Sequence, residues 1–595
     1  MSNDTLPNGR TFRFWDDATS YTKEYHVACN HPQASDGNSG TAAEPFLTID
    51  RAAQAAQPGE KIIVHDGVYH ECMRPPRGGT APDCMIAYEA AQGERVVITG
   101  AEPWQPVAEP SRGWSIPAVP GGETVWMAEL PADRFGAYNP FLARNAYDHL
   151  PQYGNIQDPD WLRRALVRRG SVFCNGQPLT QVLFARELAA QDGAFWVEEP
   201  GLRVHFRLPG DCDPRSCTLE VSAREQVFAP ALLGLGYIRV SGFTLENAAD
   251  GLPVPQRAAL SASRGHHWII EDNIIRHANA CGIDVGMQSW NAAKTEPCGH
   301  HIIRRNTISD CGVCGVAGAR GVEHTLIEDN LIERIGGLNL ERMYECAAIK
   351  FHFCKHSLMR RNTIRRTRHA GGIWLDVNND NCRITGNTFA DIKTITAAVY
   401  SEMNPDTNMI DNNVFWDIRS GSMPPGRPGD HASETPVEGS AVRADCNESL
   451  IVAHNFFGRI QAYAVAFSLV QADRNSRGRT GLCRANTAVN NVFFKCPHRV
   501  HLGRREENVC DGNLYDQRDD SLSFHIAYPE PACHQNLAGW QRYFGLDTHS
   551  EHALIEADFD VESGTPTWRL LEGKPPACRS LKGADTGKAV GPRPA

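Results

Sequence analysis

Ala348-Ile-Lys-Phe-His352, Gly372-Ile-Trp-Leu-Asp376, Ala398-Val-Tyr-Ser-Glu402, Ala441-Val-Arg-Ala-Asp445 and Ala464-Val-Ala-Phe-Ser468 repeat one pattern along the middle of the chain. Each has a small residue, a branched aliphatic, a variable third residue, a fourth that can face inward and a variable fifth. If they are stacked strands, a side-chain period of two places the third and fifth positions on one outward face. That face carries Lys350 and His352, Trp374 and Asp376, Tyr400 and Glu402, then Arg443 and Asp445. A purely structural repeat does not require such residues there, so the pattern reads as the wall of a reactive site.

A second ladder runs alongside. Asparagine followed by two apolar residues, or by threonine and one apolar residue, recurs at Asn273-Ile-Ile, Asn306-Thr-Ile, Asn330-Leu-Ile, Asn362-Thr-Ile, Asn387-Thr-Phe, Asn413-Val-Phe, Asn455-Phe-Phe, Asn491-Val-Phe and Asn513-Leu-Tyr. The intervals of 22 to 42 residues lie in the range of solenoids, propellers and arrays. Each unit offers two or three strand-length apolar runs broken by Asn, Gly and Asp, with almost no helical period. Asparagine tolerates the left-handed backbone of a sharp corner, and stacked carboxamides can bond from coil to coil. A parallel β-helix satisfies these features. A propeller blade would need about four antiparallel strands with hairpin signals, which are missing.

The expected organisation has four parts. Residues 1–102 form an N-terminal cap and the first coils, with a helix from Thr48 to Ala56 capped by Thr48, the strand Lys61-Ile-Ile-Val-His65 and a turn at Asp66. Residues 103–222 contain Trp104, Trp114, Trp126, Trp161 and Trp196, many prolines and no asparagine ladder, and read as an inserted β-sandwich. Residues 223–520 are the β-helix bearing the site, and 521–595 cap the last coil and fray. The Gly/Pro-rich run from Ser420 to Gly429 is too irregular for a coil and reads as a loop beside the outward face. The fold class is therefore all-β, a right-handed parallel β-helix with an inserted β-sandwich.

Composition excludes several function classes. A formal charge of −11 over 595 residues and no basic stripe argue against a nucleic-acid partner; Arg304-Arg305 and Arg360-Arg361 read as solvated outer positions. No segment approaches the roughly 18 apolar residues of a membrane span, and the first thirty residues hold no leader-like apolar run, so a cytoplasmic protein is expected. The 19 cysteines are scattered and read as reduced core thiols, Cys311 and Cys314 included, with no metal and no cofactor expected. Asp376-Val-Asn-Asn-Asp-Asn381 lacks the glycine and distal glutamate of an EF-hand and reads as a turn. A homo-oligomer remains open.

Chemistry follows from the strand spacing. Neighbouring parallel strands lie about 4.8 Å apart, so Asp376 and Glu402, both at the fifth position of consecutive units, should bring their carboxyl groups to roughly 5 Å. That matches the retaining glycosidase separation of about 5 to 5.5 Å rather than the wider inverting one. Two adjacent carboxylates cannot ionise equally easily. Glu402, between Asp376 and Asp445, is the expected acid, and Asp376, with His352 on its other side, the expected nucleophile. Trp374 and Tyr400 offer flat faces to a sugar ring, Lys350, His352 and Arg443 can donate to hydroxyl groups, and Glu345 can hold a hydroxyl pair.

These residues resemble glycoside hydrolase family 120. The similarity runs through Glu24-Tyr-His-Val-Ala28, Pro45-Phe-Leu-Thr-Ile49, Ile63-Val-His-Asp-Gly-Val-Tyr69, Val97-Ile-Thr-Gly100, Phe135-Gly-Ala-Tyr-Asn-Pro140, Trp268-Ile-Ile-Glu-Asp-Asn-Ile-Ile275 and His301-Ile-Ile-Arg-Arg-Asn-Thr-Ile-Ser-Asp-Cys-Gly312. The more specific matches are Trp374-Leu-Asp376, Val399-Tyr-Ser-Glu402 and the stretch from Glu345 to His352. Met403-Asn-Pro-Asp-Thr407 and Val316-Ala-Gly-Ala-Arg-Gly321 depart from the family pattern. The resemblance implies a right-handed β-helix with a β-sandwich insertion and an exo-acting β-xylosidase on xylo-oligosaccharides or xylosides, with Asp376 as nucleophile and Glu402 as acid/base. An α-L-arabinopyranosidase on the same site is the near alternative. A β-helix polysaccharide lyase led by Lys350, His352 and Arg443 is the rival chemistry, and a β-helix binding or surface protein the non-enzymatic one.

Overall fold

A computed structural model describes residues 4–145, 167–199, 201–251, 256–289, 291–340, 345–421, 438–469, 473–480, 482–516, 522–527, 532–580 and 590–592. Most of the Gly/Pro-rich run after Ser420 lies outside these residues.

Three long sheets of 13, 15 and 11 strands run the length of the chain, and successive coils add one strand to each. One coil shows the plan: Leu358–Arg360, then Thr363–Arg365, then Gly371–Asp376. In the first two sheets the repeating strands are mostly three residues long, whereas those of the third reach six at Cys314–Ala319, Ala347–His352, Gly371–Asp376, Ala397–Glu402, Ser440–Asp445 and Tyr463–Ser468. The solenoid is thus a parallel β-helix whose longest strands carry the outward face singled out above.

Inside, equivalent positions stack in rows. Ile283, Val316, Ile349, Ile373, Val399, Val442, Val465 and Val500 line the third sheet, all fully buried. Phe389, Phe415, Phe457 and Phe493 stack along the second with ring centroids 4.8 to 5.1 Å apart. Such rows keep register because a one-residue slip would turn an entire coil inside out.

The corner between the first two sheets differs from the sequence expectation in one respect. The left-handed residue is the one before each asparagine, as at Asp272, Arg305, Asp329, Arg361 and Asn412, with φ between 53° and 57°. The asparagine itself is buried and acts through its carboxamide. Asn387 is typical: its Oδ1 accepts from the Asn362 amide at 2.9 Å, while its Nδ2 donates to the Met359 carbonyl and to Asn413 Oδ1, both at 3.0 Å. The same backbone bond links Asn273, Asn306, Asn330, Asn362, Asn387, Asn413, Asn455, Asn491 and Asn513 without a break. The arginine pairs at the outer positions also form ion pairs from coil to coil. Arg304 and Arg305 both pair with Glu271, and Arg360 and Arg361 both with Glu328, tying each coil to its neighbour.

The ends and the insertion complete the molecule. A helix over Ile49–Ala55 starts at Thr48, whose Oγ1 accepts from the Arg51 amide, and buries Ile49, Ala52 and Ala53. The expected turn at Asp66 is followed directly by a strand, Gly67–Tyr69, which opens the 15-stranded sheet. Between Ala101 and Ser222 lie a four-stranded and a five-stranded sheet that share a core of Trp104, Val172, Phe195, Phe206 and Val221. At the other end Trp540 is fully buried in a helix over Leu537–Phe544. The chain past it does not simply fray: Glu551–Asp560 pairs in parallel with Leu514–Asp516, then antiparallel with Thr565–Glu572. Among the described residues no helix is long and apolar enough to cross a membrane.

Replacing one rung of the ladder should be costly. Asn387→Ala strands the Asn362 amide and the Met359 carbonyl in the core at roughly 1–3 kcal/mol each, so chemical denaturation should register a loss of about 2–5 kcal/mol. A loss below about 0.5 kcal/mol would show that the carboxamides do not hold the coils.

Candidate active site

The wall strands lie in the register that the repeat demands. His352 pairs with Asp376, Asp376 with Glu402, and Glu402 with Asp445; one pleat earlier the row is Lys350, Trp374, Tyr400 and Arg443. Immediately after each fifth position comes a residue with positive φ, Phe353, Val377, Met403 and Cys446. The chain therefore turns away just beyond each reactive side chain. A β-branched residue such as Val377, at φ 32°, rarely adopts such a backbone, and the surroundings must hold it. They do so through a second asparagine ladder: Asn379 Oδ1 accepts from the Cys354 amide, Asn404 Oδ1 from Asn379 and Asn447 Oδ1 from Asn404, at 2.7 to 2.9 Å. Asn379 also donates to the Asp376 carbonyl at 2.8 Å, so the segment read as a turn is a braced one.

Asp376 sits between Lys350 and His352. Lys350 Nζ is 2.8 Å and His352 Nε2 3.0 Å from its Oδ2. Burial alone would raise this carboxyl, but Lys350 and His352 overcome it and hold Asp376 well below the ordinary carboxylate range. Lys350 is fully buried; burial opposes its charge, yet Asp376 and Glu345 keep its pKa above the ordinary lysine value. Glu345 lies 3.7 Å from Lys350 and 3.4 Å from His352. It occupies a positive-φ position, 60°, just before the strand, and its Oε2 accepts from Gln256 Nε2 at 3.1 Å. Glu345, His352 and Asp376 converge closely enough to surround a cation. The Lys350 ammonium lies beside two of them, 2.8 Å from Asp376 and 3.7 Å from Glu345.

Glu402 is treated in the opposite way. Burial and then Asp376 push its pKa up, with Asp445 adding, while Arg474 and Lys350 pull it part of the way back. The two register neighbours thus diverge, Asp376 shifted downward and Glu402 upward.

The remaining positions differ from the sequence reading. Trp374 and Tyr400 are not open platforms: they are 5 % and 6 % exposed, their rings lie 4.9 Å apart, and Lys350 Nζ covers the Trp374 ring at 3.0 Å. A ring facing a cation at that distance cannot offer the same face to a sugar, so the pair forms the floor under the cations. Arg443 is committed rather than available, pairing with Asp445 Oδ2 at 2.6 Å, which also accepts the Tyr400 hydroxyl at 2.9 Å. Lys350 is likewise bound to Asp376. Two residues missing from the sequence reading reach the site. Gln256 anchors Glu345, and Arg474 Nη2 lies 2.6 Å from Glu402 Oε1. Arg474 belongs to the 36-residue interval between Asn455 and Asn491, whose excess length was the available sign of an excursion.

Comparison with known proteins agrees with this architecture. Residues 234–457 match the family model described as right handed beta helix region. The chain has the fold of XylC. That structure, solved in complex with xylose, aligns over 96 % of this chain and 98 % of its own at a TM-score of 0.65 and 20 % identity. A second solved structure, titled glycoside hydrolase, aligns over 80 % of this chain and 97 % of its own at a TM-score of 0.49 and 13 % identity. In sequence, 69 residues are 35 % identical to the uncharacterized protein YwoF of Bacillus subtilis (strain 168), a match that spans 12 % of this chain and 14 % of that protein. The match to XylC over nearly both full lengths establishes the fold, a right-handed parallel β-helix.

Removing the central cation tests the electrostatics without any substrate. Lys350→Met removes the ammonium from the buried Asp376 and Glu345 carboxylates and leaves them only His352, and should cost about 3–5 kcal/mol at pH 7. Lys350→Met combined with Asp376→Asn should recover part of that loss. Equal stability of the single and double variants in denaturation would refute the assignment of Lys350 as counter-charge to Asp376.

Proposed function

We propose that the protein is an exo-acting retaining glycoside hydrolase that releases β-D-xylose from the non-reducing end of xylo-oligosaccharides or xylosides. The observation that carries this reading is the pair Asp376 and Glu402: adjacent in register, and displaced in opposite directions from ordinary carboxyl behaviour. Asp376, held ionised, attacks the anomeric carbon and forms a glycosyl-enzyme. Glu402 protonates the departing oxygen, then removes a proton from the water that attacks the same carbon and frees Asp376. Parallel-strand spacing of about 4.8 Å supports direct attack, because an inverting pair needs room for a water between carboxylate and sugar. Glu345, held by Gln256 and facing Lys350 and His352, suits a hydroxyl pair on the sugar bound there. The xylose in the XylC complex, in a chain of the same fold, supports a pentose at this site.

Charge pairing disfavours the lyase alternative. A uronate substrate needs a cation free to neutralise its carboxylate, whereas Lys350, Arg443 and Arg474 are each paired with a carboxylate of the protein.

Aryl β-xylosides test the assignment. Asp376→Ala should abolish turnover, and Glu402→Gln should lower it by about 10²- to 10⁴-fold, least for the best leaving groups. Proton NMR of the first-formed sugar should show the β-anomer. First-formed α-xylose would overturn retention, and an unsaturated, ultraviolet-absorbing product from a polyuronate would replace the hydrolase by a lyase. The pH profile should be bell-shaped, its acid limb set by Asp376 below the ordinary Asp range and its alkaline limb by Glu402 above the ordinary Glu value.

A further inference from the structure

We propose that Arg474 is a positioning residue for Glu402, holding one carboxyl oxygen, Oε1, so that the transferable proton is carried on the other, Oε2. The inference rests on the reading of Glu402 as acid/base. Arg474 immediately precedes a small hairpin of Asn475–Ser476 and Arg479–Thr480, and its Nη2 donates to Glu402 Oε1 at 2.6 Å.

The hairpin is fastened to the turns that end the wall strands. Ser476 Oγ donates to Asn378 Oδ1 at 2.8 Å and to the Met403 carbonyl at 3.3 Å, Arg477 pairs with Asp406, and Arg479 with Glu448. Asn378 follows Asp376, Met403 and Asp406 follow Glu402, and Glu448 follows Asp445, so the turns that aim the three carboxylates also aim the guanidinium. Glu402 faces Asp376 on the preceding strand, Asp445 and Arg443 on the following one, Tyr400 on its own, Lys350 two strands away and Arg474 from the hairpin. Lys350 is occupied by Asp376 and Arg443 by Asp445. Arg474 is thus the direct counter-charge of Glu402.

A guanidinium donates hydrogen bonds and does not titrate in a protein. Its bond therefore makes Oε1 an acceptor in both states of the acid and leaves the proton to Oε2. In the first step the Oε2–H bond breaks as the proton passes to the glycosidic oxygen. The bond from the anomeric carbon to the leaving group breaks as the bond to Asp376 forms, and Glu402 is left as a carboxylate against Arg474. In the second, a water proton goes to Oε2, the water oxygen bonds to the carbon, and Asp376 departs. Arg474 stabilises the ionised form created between these steps.

The test compares wild type, Arg474→Met, Arg474→Lys and the Glu402→Gln partner of each. The stability difference between each protein and its Glu402→Gln partner, followed across pH, reads the Glu402 proton without substrate. In Arg474→Met its transition should move up by about 1 to 3 pH units, the effect of losing an opposite charge at close range, and Arg474→Lys should restore most of it. On aryl β-xylosides the alkaline limb of kcat/KM should move by the same amount, and kcat should fall most for poor leaving groups. An unmoved transition in Arg474→Met overturns the inference. Full activity of Glu402→Gln would instead overturn the acid/base reading on which it rests.

Discussion

A buried carboxamide at the corner of each coil is the contact on which this molecule depends. Three sheets of parallel strands make backbone bonds along the solenoid axis, but at a corner the chain turns and its amide and carbonyl groups would lose partners. Each ladder asparagine answers both needs at once, accepting from one coil's backbone and donating to another's. Buried amides left unpaired cost more than most single packing contacts, so the ladder fixes where each coil begins. The second ladder through Asn379, Asn404 and Asn447 does the same for the turns beyond the site. Structure and chemistry are held by one device used twice.

Fixed coil height then sets the electrostatics. Because Asp376 and Glu402 are register neighbours in a sheet that cannot slip, their repulsion is a permanent feature rather than a consequence of side-chain choice. The surroundings resolve it asymmetrically. Lys350 and His352 act on one oxygen of Asp376, while Glu402 meets burial, a carboxylate on either side and a single guanidinium. The stacked rings of Trp374 and Tyr400 serve this arrangement as a floor, keeping Lys350 and Arg443 close to their carboxylates.

The register of the wall and the rungs of the first ladder were legible because both repeat at a local scale: a period of two decides which face a residue occupies, and a recurring asparagine marks each corner. What escaped was non-periodic. Nothing in Asp473-Arg-Asn-Ser-Arg-Gly-Arg479 distinguishes Arg474 from the neighbouring arginines that pair elsewhere, and Gln256 precedes the wall by several coils. Trp374 and Tyr400 were correctly placed on the face but misread in use, since the sequence gives positions on a face and not which cation lies over a ring. The left-handed corner residue was displaced by one because the αL position tolerates Asp, Arg, Gly and His here, leaving no single residue type to mark it.

On the proposed reading as a glycoside hydrolase, strand spacing also bears on which chemistry is open to the site. Carboxylates on adjacent coils stand at about 4.8 Å, and those two coils apart at about 9 to 10 Å; intermediate separations require side chains to bend away from the strand normal. The first distance suits direct attack on a sugar and the second lies at the wide limit for a water held between base and sugar. On that reading, carboxylates on adjacent coils favour the retaining separation. Here Asp376 and Glu402 are adjacent, and Asp445, which would stand two coils from Asp376, is bound by Arg443 and Tyr400. That pairing holds Asp445, while Asp376 and Glu402 are the adjacent carboxyl groups displaced in opposite directions, Asp376 downward and Glu402 upward.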